Sequence, residues 1–124
     1  MTPFDFADYL DFADELVTRS DEAAWRSAIS RAYYAALHVA FQALPLSLRG
    51  TISHRTTHRD VWQHYAASSV VVCRQIGQAG IRLQRARVQA DYRVLPAVSS
   101  VQALRLVADA RQMLDRIDRH GYQP

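Results

Sequence analysis

Residues 27–42 read SAISRAYYAALHVAFQ. At ~100° per residue this stretch carries two opposed faces on one helix. Trp25, Ile29, Ala32, Ala36, Ala40 and Ala43 line one side, and Ser27, Arg31, Tyr34, His38 and Gln42 line the other. The apolar stripe lets the helix dock on its neighbours. The opposite stripe is polar without being a run of charges, and it sets an arginine, a tyrosine and a histidine in one row. The first face predicts an all-α protein, and the second marks a candidate site.

The helical period continues on both sides of this stretch. Thr2-Pro3 reads as an N-cap and first turn, with Phe6, Leu10, Ala13 and Val17 as the stripe of a helix over about 3–19. Ser20 or Asp21 caps the next helix, which runs to Leu44 and stops before Pro45. Residues 45–56 form the longest irregular stretch. Thr57 with Asp60 resembles a capping box that opens a third helix, expected to run to about Ile76 and to break at Gly77 and Gly80. A fourth covers 81–95, with Ile81, Arg85, Val88, Tyr92 and Leu95 sharing a side. Ser99 or Ser100 caps a fifth, with Val101, Leu104, Ala108, Leu114 and Ile117 inward and Gly121 as its stop. No segment alternates as a strand would. Mostly short connections predict an antiparallel four- to five-helix bundle forming one domain over residues 1–124.

With 124 residues and 49% of them hydrophobic, the chain can bury a core. No apolar run approaches the ~20 residues of a membrane span, and the acidic start argues against a signal peptide. The expectation is a cytoplasmic protein without membrane contact. The lone Cys73 follows three valines and reads as core packing. All fifteen basic residues are arginine. Residues 1–22 hold seven acids against Arg19, whereas the remainder holds fourteen arginines against five acids, so a net charge of +3 hides a strongly basic body. Such a body suits nucleic acid or an acidic partner. There is no Gly-rich phosphate loop, no carboxylate pair and no nucleophile elbow, which excludes nucleotidyltransferases and hydrolases of standard type. No metal site is expected, since His54 and His58 lack a third ligand in sequence, and no cofactor is expected either.

Ser30-Arg31-Ala32-Tyr33-Tyr34-Ala35-Ala36-Leu37-His38-Val39-Ala40 resembles the signature of the HEPN family of bacterial and archaeal helical domains. Ala90-Asp91-Tyr92, after Arg87, is similar to that family's Ala-Asp-Tyr, and His58 resembles the histidine that often opens its third helix. The likeness covers residues 20–118. It implies a HEPN-like bundle, usually a homodimer. Many members are metal-independent endoribonucleases that use an Arg and a His with four to six residues between them. Several are toxins of toxin–antitoxin or phage-defence systems, paired with a minimal nucleotidyltransferase antitoxin. Others are non-catalytic RNA-binding or interaction modules.

Spacing does not choose the pair here, because about two such matches arise by chance in a chain this rich in arginine. Geometry favours Arg31 and His38, two turns apart on one face, with Tyr34 between them. Arg59 and His64, with Asp60 following the arginine, are the second choice, since five residues place them ~140° apart. The chemistry implied is RNA transesterification: histidine moves the proton and arginine stabilises the charged phosphate. A structural alternative pairs Arg31 with Asp91 as a polar rivet inside the bundle. Arg82, Arg85, Arg87 and Tyr92 form a further basic, aromatic-bearing segment that suits an RNA backbone or a partner protein.

Overall fold

A computed structural model describes residues 2–124. Among them the secondary structure is entirely helical: α1 (Asp8–Leu16), α2 (Glu22–Ala43), α3 (Leu46–Arg49), α4 (Thr57–Ala66), α5 (Val71–Tyr92) and α6 (Ser100–His120). The helical bundle expected from the sequence is present. No helix is long and apolar enough to cross a membrane among the described residues.

The α2 helix is the axis of the molecule, packed against α1, α4, α5 and α6. That position explains its composition. Ala24, Ala28, Ala32, Ala35, Ala36 and Ala40 are all buried, and small side chains on several sides let four neighbours approach one helix. On the polar face Ser27 and Gln42 are exposed, while Arg31, Tyr34 and His38 are half-buried. The Asp21 side chain accepts from the Ala24 N–H and caps α2. Contacts of Phe6 with His38 and of Trp25 with the Arg19 carbonyl run α1 antiparallel to α2. Contacts of Arg26 with Ala90 and of Tyr33 with Arg87 do the same for α5.

Several boundaries differ from the sequence expectation. The first helix begins at Asp8 rather than near Pro3, because the Asp5 side chain takes the Ala7 N–H and its carbonyl takes the Asp8 N–H in a turn. The α4 helix ends at Ala66, and α5 then runs unbroken through Gly77 and Gly80. These glycines are close-approach positions instead of breakers. A Cβ on Gly77 would lie 2.7 Å from the Ala66 Cα and 2.8 Å from the Trp62 carbonyl oxygen, and one on Gly80 would overlap the Trp62 ring. The expected capping box of Thr57 with Asp60 does not form: Thr56 is the N-cap of α4 without a side-chain cap bond, and its hydroxyl donates to the Asp60 carboxylate instead.

The faces of the last two long helices are also rotated from expectation. On α5 the buried side carries Cys73, Ile76, Gly77, Gly80, Leu83, Arg87 and Ala90, so the stripe through Ile81, Arg85, Val88 and Tyr92 looks outward. On α6 the buried side is Ala103, Val107, Ala110, Met113 and Ile117, leaving Val101, Leu104 and Ala108 exposed. Each helix has two apolar sides. The bundle uses the one with small residues, which sits closer to the alanines of α2.

The chain end of α5 is held by Arg26. Its guanidinium donates to the carbonyls of Gln89, Ala90, Arg93 and Val94 and to Glu22, 2.7 Å away. Glu22 in turn accepts from the Val98 N–H, and that bond, with Arg26, holds its carboxyl below the usual range. A cation at the carbonyl end of a helix is favourable, and this one also fixes the α5–α6 connection.

Candidate functional site

The site is built around Tyr34. The Arg31 and Arg87 guanidinium carbons each lie 5.5 Å from the centre of its ring, and the rings of His58 and His38 lie 6.0 and 6.4 Å away. Arg31, Tyr34 and His38 come from the polar face of α2, His58 from the first turn of α4, and Arg87 from the inner side of α5. Two guanidiniums and two imidazoles thus surround one phenol. Cation–ring contacts of this kind hold guanidiniums without neutralising them.

Each histidine is held differently. Trp62 Nε1 donates to the Tyr33 hydroxyl at 3.1 Å, and Tyr33 lies 2.7 Å from His58 Nδ1. When His58 is neutral with its proton on Nε2, Tyr33 donates to Nδ1, and when the ring is protonated Nδ1–H donates to the Tyr33 oxygen instead. Burial, reinforced by Arg87 and His38, lowers the His58 pKa. His38 has no such partner among the described residues: the Phe6 ring stacks flat upon it at 3.7 Å and 14°, and burial lowers its pKa too. Burial raises the Tyr33 hydroxyl well above its ordinary value, so it keeps its proton.

The anticipated rivet between Arg31 and Asp91 is replaced by other partners. Asp91 accepts from Ser30 at 3.1 Å and pairs with Arg87 at 3.6 Å. Arg31 lies over the Tyr9 ring at 5.0 Å and has no carboxylate partner among the described residues. The register explains the exchange. Arg87 is one turn before Asp91 on the same helix, whereas Arg31 points from α2 toward α1.

The second-choice trio lies together on the exposed side of α4. Arg59 is exposed and pairs with Asp60 at 3.3 Å; the Thr56 hydroxyl, helped by Arg59, holds the Asp60 carboxyl below its ordinary pKa. His64 lies a turn further on, on a shallow surface with Asp60, Gln63 and Ala67. The basic segment of α5 separates. Arg87 is buried at 7% exposure, Arg85 lines an outward groove, and Arg82 sits between α5 and α6. Tyr92 is 75% exposed, yet it still lies 5.8 Å from Arg87. His54 is exposed in the turn before α4, apart from His58 on the helix itself. Among the described residues no three metal-ligating side chains are gathered.

Sequence reasoning missed the centrality of Arg87 and His58. A signal existed for Arg87, since Leu83, Arg87 and Ala90 follow the i, i+4, i+7 rule of an inner face. Compared with family models, with curated proteins and with solved structures, the chain matches none.

Proposed function

We propose that the chain is a HEPN-like, RNA-directed protein that cleaves RNA without a metal ion, acting as the toxin of a toxin–antitoxin or phage-defence pair. The observation that carries this reading is the ring of Arg31, Arg87, His38 and His58 about Tyr34. A phosphodiester presents negative charge to the arginines and a ribose hydroxyl to a histidine.

Neutral His38 takes the proton from the 2′-hydroxyl. The 2′-oxygen forms its bond to phosphorus while Arg31 stabilises the added charge on the phosphate. The bond to the 5′-oxygen then breaks, and that oxygen receives a proton from the protonated form of His58, held by Tyr33. The products are a 2′,3′-cyclic phosphate and a 5′-hydroxyl. A phosphate in the site raises both histidine pKa values, since a nearby negative charge favours the cation.

Incubating the protein with end-labelled RNA in EDTA tests this. Wild type gives 2′,3′-cyclic ends, and His38→Ala or Arg31→Ala lowers the rate by about 10²-fold or more. A folded wild type that leaves RNA intact removes the enzyme reading.

A second reading rests on the outward face of α5 and α6. Tyr92, Val94, Leu95, Val101 and Leu104 are exposed at one end of the bundle. Beside them Ile81, Arg85, Val88 and Arg93 help line a groove of about 660 Å³. In this reading the protein is a non-catalytic HEPN interaction module that dimerises through this face and docks an acidic partner such as a minimal nucleotidyltransferase. Self-association with inert RNA chemistry favours it.

A further inference from the structure

Among the described residues the ring centres of Phe6 and His38 are closer than those of any other aromatic pair, the other near-parallel pair, Tyr33–His58, lying at 5.5 Å. Aromatic side chains usually meet offset or edge to face with ring centres 4.5–7 Å apart, as Phe4–Phe6, Phe4–Tyr9 and Phe6–Tyr9 do at 5.2–5.9 Å. Phe6 and His38 instead lie face to face at 3.7 Å, 14° from parallel. That is close to the ~3.4 Å step between stacked bases.

The segment that delivers Phe6 is lightly attached. Its backbone precedes α1, and its hydrogen bonds among the described residues are local: Ala7 and Asp8 to Asp5, Tyr9 to Phe6, and Leu10 to Ala7. None reaches another helix. Phe4, Phe6 and Tyr9 hold one another, and Phe4 is 55% exposed. Arg31 lies one further step along the same face, against Tyr9, without a carboxylate. Lifting Phe6 would therefore bare a flat imidazole with an unneutralised guanidinium on the far side of Tyr34. A ring for a base next to a cation for its phosphate is how single-stranded nucleic acid is held.

We propose that the face of His38 is a stacking slot for one nucleobase of single-stranded RNA, and that Phe6 occupies the place of that base until RNA displaces it. This rests on the RNA-directed reading above and adds to it a subsite and a built-in competitor. The competitor works by mass action, since RNA binds tightly only to molecules whose slot is open.

The test is binding of a fluorescent 2′-O-methyl RNA oligomer, which cannot undergo 2′-hydroxyl transesterification, to the full chain, with cleavage of ordinary RNA measured in parallel. Phe6→Ala removes the competitor, so affinity rises about two- to tenfold, the worth of one aromatic pair. His38→Ala on that background cancels the gain, whereas His38→Phe keeps a stacking ring and retains it while abolishing cleavage. A thermal melt confirms that each variant is folded. In the folded Phe6→Ala protein, NMR titration of His38 also shows a pKa closer to the ordinary histidine value. If Phe6→Ala binds no better than wild type while wild type still cleaves RNA, the slot is overturned and the enzyme stands. If Phe6→Ala gains affinity through His38 but no variant cleaves, the slot stands and the enzyme falls. Absence of oligomer binding in every variant overturns the slot.

Discussion

Two imidazoles at one site give the protein a pH dependence with a defined sign. His38 and His58 have folded pKa values below the ordinary 6.5, mainly because burial disfavours the charged ring. The unfolded chain therefore binds more protons than the folded one as pH falls through and below 6.5. Stability contributed by these groups is fully present above that value and is lost as pH drops toward the lowered folded pKa values. Denaturant melts between pH 7.5 and 5.0 should show a falling midpoint, and the fall should shrink in the His38→Gln, His58→Gln double variant. Glutamine at 58 can still accept from Tyr33, so the Trp62–Tyr33 chain survives. An unchanged slope in the double variant would place the acid sensitivity elsewhere. The residue types of this site were legible from the sequence, but their partners were not. Arg31, Tyr34 and His38 lie on one helix at fixed angles, whereas Asp91 went to Arg87 and Ser30 because helix α5 arrived in a register that no local pattern encodes.

At the scale of elements, α4 and α5 cross where glycine permits it. Gly77 faces the backbone of Ala66 and Gly80 faces the fully buried Trp62 ring. Alanine is normally the better helix former by about 1 kcal/mol, but overpacking costs ~1–3 kcal/mol. The net expectation is that Gly77→Ala and Gly80→Ala each destabilise the fold by up to roughly 2 kcal/mol, read as a lowered denaturant midpoint, with Gly77 the worse because backbone cannot step aside. Gly50→Ala is the control. Its nearest new neighbour is the Leu46 carbonyl at 3.4 Å and its φ is −66°, so stability should hold or rise by about 0.4–1 kcal/mol. Read along the chain, these glycines resemble helix breaks, since the close approach that favours them comes from a different helix.

For the whole molecule the question is what covers the outward apolar face at the α5–α6 end. Val94 and Leu95 are 88% and 75% exposed, with Val101 and Leu104 beyond the connection. Under the homodimer reading, wild type at tens of micromolar sediments as a dimer, and Leu95→Asp with Leu104→Asp sediments as a monomer that is still folded. A monomeric wild type would count against dimerisation through this face. Both substitutions fall on exposed positions, so the bundle itself has little reason to suffer.

The sequence by itself determined that the chain is helical, that the stretch from Ser20 or Asp21 to about Leu44 forms an amphipathic element with a polar row on one side, and that Ser99 or Ser100 and Gly121 punctuate the last helix. Those features depend on the 3.6-residue period and on side chains capping their own backbone, both local. Tertiary structure alone decided which apolar side of α5 and α6 turns inward, that Gly77 and Gly80 sit inside one helix, and that Arg87 and His58 join Arg31 and His38 around Tyr34. These depend on which surfaces fit at close range. A helix with two apolar sides can bury either one, and the choice falls to the neighbour whose small residues let it come nearest.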